Sequence, residues 1–259
     1  MSKSTISSII ASLGSKLAIP KINDSITRLT TGRVSAGGQN AGLQSISNTL
    51  NAKSNSWRAA ATNARQAIDA LLVAEASLNE IASLASRLEE LGSLYNNNSL
   101  LSTSDIAALD AETASITTSI DAIRTGTTFN GVSLLGTSKV TFNAGVTDTG
   151  GTTTLTTGTL SAVASTTQAS VADTTGLAVT NEVALNLGEI SGGIQSLKAR
   201  ENVAYAASAI MSSAASSIIE TDYASETAKL TKNMMLNKIS MSLVAQANID
   251  ENYKINLIS

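Results

Sequence analysis

The sequence predicts a mainly α-helical fold, an elongated antiparallel helical bundle or coiled coil with terminal helices and small β-hairpins in its middle. Apolar residues recur at helical spacing near both ends of the 259-residue chain, and a longer helical repeat lies between them. Aromatic residues make up only 3% of the composition, so a large globular core would lack its usual bulky side chains. The stretch from Gly136 to Thr180 is instead rich in Thr, Gly, Ser and Ala, with almost no charge.

The first predicted helix carries an apolar stripe at steps of four, three and four residues: Ile6, Ile10, Leu13 and Leu17. A second stripe from Ile22 to Leu29 follows Pro20. We expect the helix to kink or restart at Pro20, because proline lacks an N–H and its ring clashes with the preceding turn. The stretch from Gly32 to Gly42 then predicts a break.

The strongest helical signal lies in the second predicted helix, from Leu43 to Leu94. Its apolar residues alternate steps of three and four, as in a coiled coil, at Ala64, Ala67, Leu71, Ala74, Leu78, Ile81, Ala85 and Leu88. At about 1.5 Å per residue this helix would be roughly 75 Å long, which favours a rod over a globule. Gly92 and the run Asn96-Asn97-Asn98 predict its end.

The third predicted helix forms a helical hairpin with the second. We expect Ser104 and Asp105 to cap its N-terminus, because short polar side chains accept hydrogen bonds from the first free N–H groups of a helix. Its apolar residues also recur at helical spacing, at Ile106, Leu109, Ile116, Ile120 and Ile123.

Small β-hairpins are predicted between about residues 127 and 180. Asn130-Gly131 is a typical tight-turn pair, because both positions of such a turn need positive φ angles. Two stretches rich in β-forming residues lie between glycine-containing breaks, at Lys139–Phe142 and Thr152–Leu160. The many Thr and Ser residues could carry O-glycans or could simply form solvated hairpins and loops, and we prefer the second interpretation.

One last long helix is predicted from about Glu182, with apolar residues spaced at sevens from Ile190 to Ile218 and a terminal stripe after Leu230. Isolated helices of about 15 to 20 residues are marginal in water, so the two terminal stripes need each other or another copy of the chain. We therefore predict self-association through Ile6, Ile10, Leu13, Leu17, Leu236, Ile239, Leu243 and Ala247. The predicted domains are an inner core of residues 1–42 with 236–259 and an outer helical rod of residues 43–235.

The composition argues against several kinds of chemistry. The chain has no Cys and no His, which removes disulfides, thiolate nucleophiles, imidazole bases and the ordinary zinc ligand sets. It also carries none of the common nucleotide-binding or hydrolase motifs. We therefore predict no catalytic, cofactor-binding or metal-ligating residue, and we do not expect an enzyme.

Two classes of partner are also not expected. A net charge of −3 without a basic patch disfavours nucleic acid. Membrane insertion is not expected, since no apolar run reaches about 20 residues. The N-terminal segment lacks the pattern of a secretory signal, so an exported protein would need a route that keeps this segment.

Four patches resemble bacterial flagellin and follow one another in that family's order; they lie at residues 74–81, 128–135, 222–226 and 243–248. The first contains Leu-Asn-Glu-Ile, and the second contains Phe-Asn-Gly followed two residues later by Leu-Leu. Both are similar to flagellin hallmark patterns. The resemblance covers about Leu29 to Leu135 and Ala204 to Asn248.

The resemblance implies a structural subunit of the flagellar filament, exported unfolded and self-assembling outside the cell into a helical tube for swimming. In flagellins the terminal segments are disordered in the monomer and fold into paired helices on polymerisation. The implied partners are further copies of the chain, the flagellar export apparatus, a chaperone, and the cap and hook-junction proteins. The alternatives are a hook–filament junction protein, a minor flagellin or a secreted adhesin whose Thr-rich middle binds a surface. The Asn-Glu-Ile and Phe-Asn-Gly patches favour the filament subunit, and the short middle implies little or no outer domain.

The resemblance also bears on recognition by host innate receptors. Arg87, Leu91 and Glu112 match the family's contact positions for the animal Toll-like receptor, whereas Glu89 stands where a second Arg is common. Such a charge reversal is unfavourable in a contact patch. The alternative is that these four side chains form a solvated bundle face or contacts between subunits. The stretch from Arg33 to Asn40 ends in Gly-Gly-Gln-Asn where flagellins have Lys-Asp-Asp, which predicts weak recognition by plants.

Overall fold

The computed structural model of the chain describes residues 3–34, 40–164 and 168–258. The protein is 79% helical, which confirms the predicted mainly α fold. The helices are α1 Lys3–Thr31, α2 Ala41–Tyr95, α3 Thr103–Gly126, α4 Ala172–Ile219 and α5 Tyr223–Ile258. Two antiparallel hairpins pair β1 Thr128–Phe129 with β2 Val132–Ser133, and β3 Val140–Gly145 with β4 Thr152–Thr157. Residues 35–39, which carry most of the prediction about plant recognition, lie outside the described residues.

The chain divides into two compact units. We call residues 53–209 the central unit, and residues 1–52 together with 210–259 the terminal unit. The central unit contains a continuous apolar core in which α2, α3, α4 and both hairpins take part. All eight residues of the predicted coiled-coil repeat between Ala64 and Leu88 are buried, which confirms that repeat.

The two hairpins lie close to where the sequence predicts strands. Asn130 and Gly131 have φ angles of 48° and 79°, as a tight two-residue hairpin turn requires, so the turn prediction is confirmed. The longer hairpin pairs β3 with β4 in unbroken register from Val140 opposite Thr157 to Gly145 opposite Thr152. Three leucines of this region face inward and are buried in the central core: Leu134, Leu135 and Leu155.

Pro20 does not end or restart α1, contrary to the expectation. The helix continues through the proline to Thr31. Ala18 and Ser25, on either side of the proline, are both buried, and Ser25 is hydrogen-bonded to α5. Packing on both sides of Pro20 therefore offsets the one backbone hydrogen bond that proline removes.

The cap of α3 is Ser102, and the prediction of a cap at Ser104 is wrong. The Asp105 N–H donates to Ser102 Oγ at 3.2 Å, and the Ser102 N–H donates to the Asp105 carboxylate at 2.9 Å. This reciprocal pair is a capping box. Hydrogen bonds from the Ser102 hydroxyl and backbone lower the pKa of the Asp105 carboxyl below its ordinary value.

Close packing of α2 on α4 explains two further differences from the predicted boundaries. Gly92 does not end α2, which continues to Tyr95; a Cβ at Gly92 would collide with the backbone of Asp173. α4 begins at Ala172, ten residues before the predicted start at Glu182. A Cβ at Gly176 would lie 2.6 Å from the Ala85 carbonyl oxygen. Contact with α2 thus keeps this Thr- and Gly-containing stretch helical despite its low helix propensity.

The predicted last helix is two helices, α4 and α5, separated by residues 220–222. The Thr221 N–H donates to the carbonyl oxygen of Gly32 at 3.0 Å, and Gly32 has a φ of 67°. The Asp222 carboxylate accepts hydrogen bonds from the first N–H groups of α5, as an N-cap does. A long-range contact with the end of α1 therefore accompanies the break.

Within the part of the chain that the structure describes, one helical stretch, Ala169–Ile219, meets the length and composition criteria for a membrane span, with a window of mean hydropathy 1.2. Helices of water-soluble proteins meet the same criteria, so this feature does not by itself indicate a span.

The burial pattern of α2 generates a stability prediction. Leu78 is fully buried and Leu72 is 47% exposed, although both lie on the same helix. We expect Leu78→Ala to lower the free energy of unfolding by about 2 to 5 kcal/mol, because it leaves a cavity in the core. The matched control Leu72→Ala should lower it by less than about 1 kcal/mol. Urea unfolding followed by far-UV circular dichroism measures both, and equal effects would contradict the assigned core.

Candidate interaction surface

The helices α1 and α5 of the terminal unit pack against each other in antiparallel orientation. Ser15 Oγ donates a hydrogen bond to Asn237 Oδ1 at 2.7 Å, and Ser25 Oγ donates to Glu226 Oε1 at 2.7 Å. The residue number on α5 falls as the number on α1 rises, so the helices run in opposite directions. These two hydrogen bonds also define the register of the pair.

Small side chains occupy buried positions along the line of contact between α1 and α5. Ala11, Ala18 and Ala247 are buried along it. A Cβ added at Gly14 would lie 2.7 Å from Ser240 Oγ, so the two backbones approach closely at this point. The distance between packed helices depends on the side chains at their contact, and small residues allow a short distance. The exposed large apolar side chains of both helices lie outside the contact line, whereas four large apolar residues on it are partly buried: Ile22, Leu29, Leu230 and Val244.

Seven of the eight residues predicted for self-association are exposed, with exposed fractions between 46% and 65%: Ile6, Ile10, Leu13, Leu17, Leu236, Ile239 and Leu243. The eighth, Ala247, is buried in the contact line. Pairing of the two terminal stripes within one chain therefore does not bury them. Contiguous exposed apolar patches are typical of interaction sites.

The register places the exposed stripes of the two helices side by side. Residues seven apart lie on the same side of a helix, so Ile10 and Leu17 share one side of α1, as Leu236 and Leu243 share one side of α5. With Ser15 opposite Asn237 and Gly14 opposite Ser240, Leu17 lies level with Leu236 and Ile10 lies level with Leu243. We call the seven exposed residues of this side the leucine face.

A second exposed apolar face lies on the other side of the contact line. On helical geometry of about 100° per residue, Ile19 and Ile26 of α1 fall on this side together with Met234 and Met241 of α5. Their exposed fractions lie between 44% and 60%. We call these four residues the methionine face. The helix pair thus presents two different apolar faces on opposite sides.

A buried carboxylate, Glu226, joins the two helices near the end of the pair. It accepts a hydrogen bond from Ser25, and Lys229 Nζ and Arg28 Nη1 lie 3.2 Å and 3.6 Å from its oxygens. Burial by itself raises the pKa of the Glu226 carboxyl. The hydrogen bonds from Ser25 and Lys229 and the positive charges of Lys229 and Arg28 outweigh burial, so the pKa lies below its ordinary value. Sequence reasoning missed the role of Glu226, because no periodicity marks a lone buried acid.

The four residues of the predicted receptor face do not lie together on one exposed surface. Arg87 is exposed and bonds Glu90 and Glu112, each at 2.8 Å, and these two carboxylates raise the pKa of its guanidinium. Glu89 accepts a hydrogen bond from Thr180 of α4. Leu91 is buried because it lies on the side of α2 that faces the core. These contacts within the bundle agree with the alternative interpretation of a structural face.

Two family profiles match the chain. The profile described as the bacterial flagellin N-terminal helical region matches residues 5–140, and that described as the bacterial flagellin C-terminal helical region matches residues 173–258. The four patches singled out in the sequence all lie within these ranges.

Individual relatives match over shorter segments. Flagellin A of Vibrio anguillarum is 36% identical over 120 residues, which is 46% of this chain and 31% of that protein. A flagellin of Clostridium tyrobutyricum is 32% identical over 114 residues, 44% of this chain and 30% of that protein. The matched segment thus spans about a third of the length of these curated relatives. The crystal structure of Bacillus cereus flagellin is similar with a TM-score of 0.38 and 21% identity, over 56% of this chain and 85% of that one.

Acid should loosen the terminal helix pair through Glu226. Because its folded-state pKa is lowered, the stabilisation is fully present above the ordinary carboxyl pKa of about 4.3 and is lost as pH falls through the lower folded-state pKa. Glu226→Gln should destabilise the chain by about 1 to 3 kcal/mol at neutral pH, and the deficit should shrink in acid. Thermal unfolding at several pH values measures this. The control Glu80→Gln, at an exposed carboxyl of α2, should show no such trend; a pH-independent deficit for Glu226→Gln would contradict the role.

Widening the contact line should separate α1 from α5. We expect Gly14→Leu to reduce the helical content of the chain and to make the terminal segments sensitive to protease, because its side chain would occupy the space of Ser240. Gly42→Leu is the matched control, since a Cβ at that helical glycine meets no atom within 4 Å. Limited proteolysis with mass spectrometry reports on both variants. Equal protease sensitivity of the two variants would argue against close packing at Gly14.

Proposed function

Because this chain belongs to the bacterial flagellin family, we propose that it is a structural subunit of a flagellar filament and polymerises through its terminal helix pair. The observation that carries the proposal is the exposure of the leucine face, whose seven large apolar side chains are all about half exposed. Removing apolar surface from water is favourable by about 25 cal/mol per Å². Contact with further copies of the chain would bury this surface and supply the partner that a single chain lacks.

The presence of two different faces supports an open assembly. The leucine face and the methionine face differ in composition and lie on opposite sides of the pair. A subunit that contacts one neighbour with each of two different faces makes heterologous contacts, which give a ring or an open helical filament. We propose the open helical tube, with the helices of residues 1–42 and 236–259 as its inner core and residues 43–235 as its outer core.

The limited apolar contact between α1 and α5 supports the proposal that the chain is exported unfolded. The fully buried apolar residues of their contact line are alanines, and the larger apolar residues on it are only partly buried, so the pair buries little apolar area and has low local stability. We propose that the flagellar export apparatus carries the chain with unfolded termini, that a chaperone covers the terminal apolar residues before export, and that the chain polymerises outside the cell. The cap and hook-junction proteins are the proposed partners at the two ends of the filament.

Recognition by the animal Toll-like receptor through Arg87, Glu89, Leu91 and Glu112 is proposed to be weak. Leu91 is buried, and Arg87 is already paired with two carboxylates within the bundle. A receptor would have to break these contacts before it could use the same side chains, and leaving charges unpaired in an interface is unfavourable.

The leucine face provides the test of polymerisation. We expect Leu243→Ala to raise the critical concentration for filament formation at least about tenfold, because Leu→Ala at a buried contact costs about 2 to 5 kcal/mol. Helicity of the free chain should change little, since Leu243 is half exposed there. Sedimentation and negative-stain electron microscopy after seeding with sheared filaments measure assembly, and circular dichroism measures helicity.

Two controls accompany this experiment. Leu100→Ala alters a more exposed leucine, between α2 and α3, and should assemble like the unmodified chain. A chain without residues 1–17 and 236–259 should not assemble. Parallel loss of helicity and filament yield in Leu243→Ala would contradict an intermolecular role for Leu243, and absence of filaments from the full chain would contradict the proposed function.

A further inference from the structure

The exposed sulfur atoms of the described residues are concentrated on α5. Met234, Met235 and Met241 are exposed on that helix, whereas Met211 on α4 is partly buried. The chain has no Cys, so thioethers are its only sulfur groups. Exposed thioethers react with peroxides, whereas thioethers shielded by packing react more slowly. In the free chain these three methionines are therefore open to oxidation.

The same three methionines border the surfaces proposed for association. Met234 and Met241 lie seven residues apart on the methionine face, beside Ile19 and Ile26. Met235 lies next to Leu236 of the leucine face and points away from α1. Methionine is well suited to such a surface, because its flexible and polarisable side chain adapts to an irregular apolar partner.

We propose that Met234, Met235 and Met241 form a methionine-oxidation site at which a peroxide controls self-association. The inference rests on the proposed function. In the reaction the O–O bond of hydrogen peroxide breaks, one oxygen atom forms an S=O bond, the sulfur loses two electrons and the peroxide leaves as water.

Oxidation at these positions opposes association more than folding. A sulfoxide is polar and accepts hydrogen bonds, and on the free chain it stays hydrated because the three side chains are exposed. Burial of the same group against apolar residues of another copy removes its water without supplying a donor. The critical concentration should rise about tenfold for each sulfoxide that becomes buried. Assembly in turn covers the sulfur atoms, so oxidation acts on the free chain before it polymerises.

The experiment treats the free full-length chain with dilute hydrogen peroxide and stops the reaction with catalase. Peptide mass spectrometry then locates the added oxygen atoms, and seeded assembly is measured by sedimentation. The test variant carries Met234→Leu, Met235→Leu and Met241→Leu together, which keeps the apolar character and removes the reactive sulfur. Met211→Leu is the matched control, and Met241→Leu alone serves if the triple variant loses helicity.

The expected result is oxidation of all three α5 methionines in the free chain, a rise of about tenfold or more in its critical concentration, and unchanged helicity. Treatment should affect Met211→Leu like the unmodified chain and should leave the triple variant able to assemble. The same methionines should be protected when peroxide is added to formed filaments.

Three outcomes would overturn the inference. The first is normal assembly of a chain that carries mapped sulfoxides on α5. The second is an equal loss of assembly in the triple variant after peroxide treatment. Because that variant still contains Met1 and Met211, this result would locate the damage at those residues. The third is failure of the untreated chain to form filaments, which overturns the proposed function and this inference with it. The untreated sample thereby separates failure of the oxidation site alone from failure of both.

Discussion

The close approach of α1 and α5 along a line of small side chains is the constraint on which the functional surface depends. Around Gly14 and Ala18 the helices approach so closely that a large apolar side chain would not fit between them at that point. Large apolar side chains such as Leu17 and Met241 lie on the two flanks, where they are exposed in a single chain. The close approach of the two helices therefore leaves the leucine face and the methionine face exposed. It also limits the apolar area that the terminal unit buries within one chain.

The central unit, in contrast, buries large apolar side chains within the same chain. Leu71, Leu78 and Leu88 point from α2 into a core that α3, α4 and the hairpins complete within the same chain. Burial of large apolar side chains is the main favourable contribution to folding, because the free energy gained grows with the apolar area removed from water. The central unit thus buries its large apolar side chains within the chain, whereas the terminal unit leaves the leucine face and the methionine face exposed. This division is consistent with the proposed role of a subunit that polymerises through its terminal helices.

Polar contacts contribute specificity to the helix pair more than stability. Ser15 with Asn237 and Ser25 with Glu226 fix which residues of α1 and α5 stand level with each other. A slip of one turn would take Ser25 and Arg28 of α1 away from the buried Glu226 carboxylate and leave it with Lys229 of its own helix, and loss of partners from a buried charge is costly. Because the register is fixed, the stripes of the two helices join into one face. The sequence reasoning predicted both stripes but not the polar contacts that align them.

The sequence by itself determined the features that depend on local spacing and local turn chemistry: the repeat through Leu71 and Leu78, the Asn130-Gly131 turn, and the apolar stripes of the termini. Tertiary structure decided the features that depend on a neighbour distant in the chain. The early start of α4 and the burial of Leu91 follow from contacts that no local pattern encodes, and the break near Asp222 combines a local N-cap with a contact to Gly32 at the end of α1. Periodicity shows that a helix has an apolar side, but only the three-dimensional arrangement of the chain shows which element covers that side and which sides remain for another molecule.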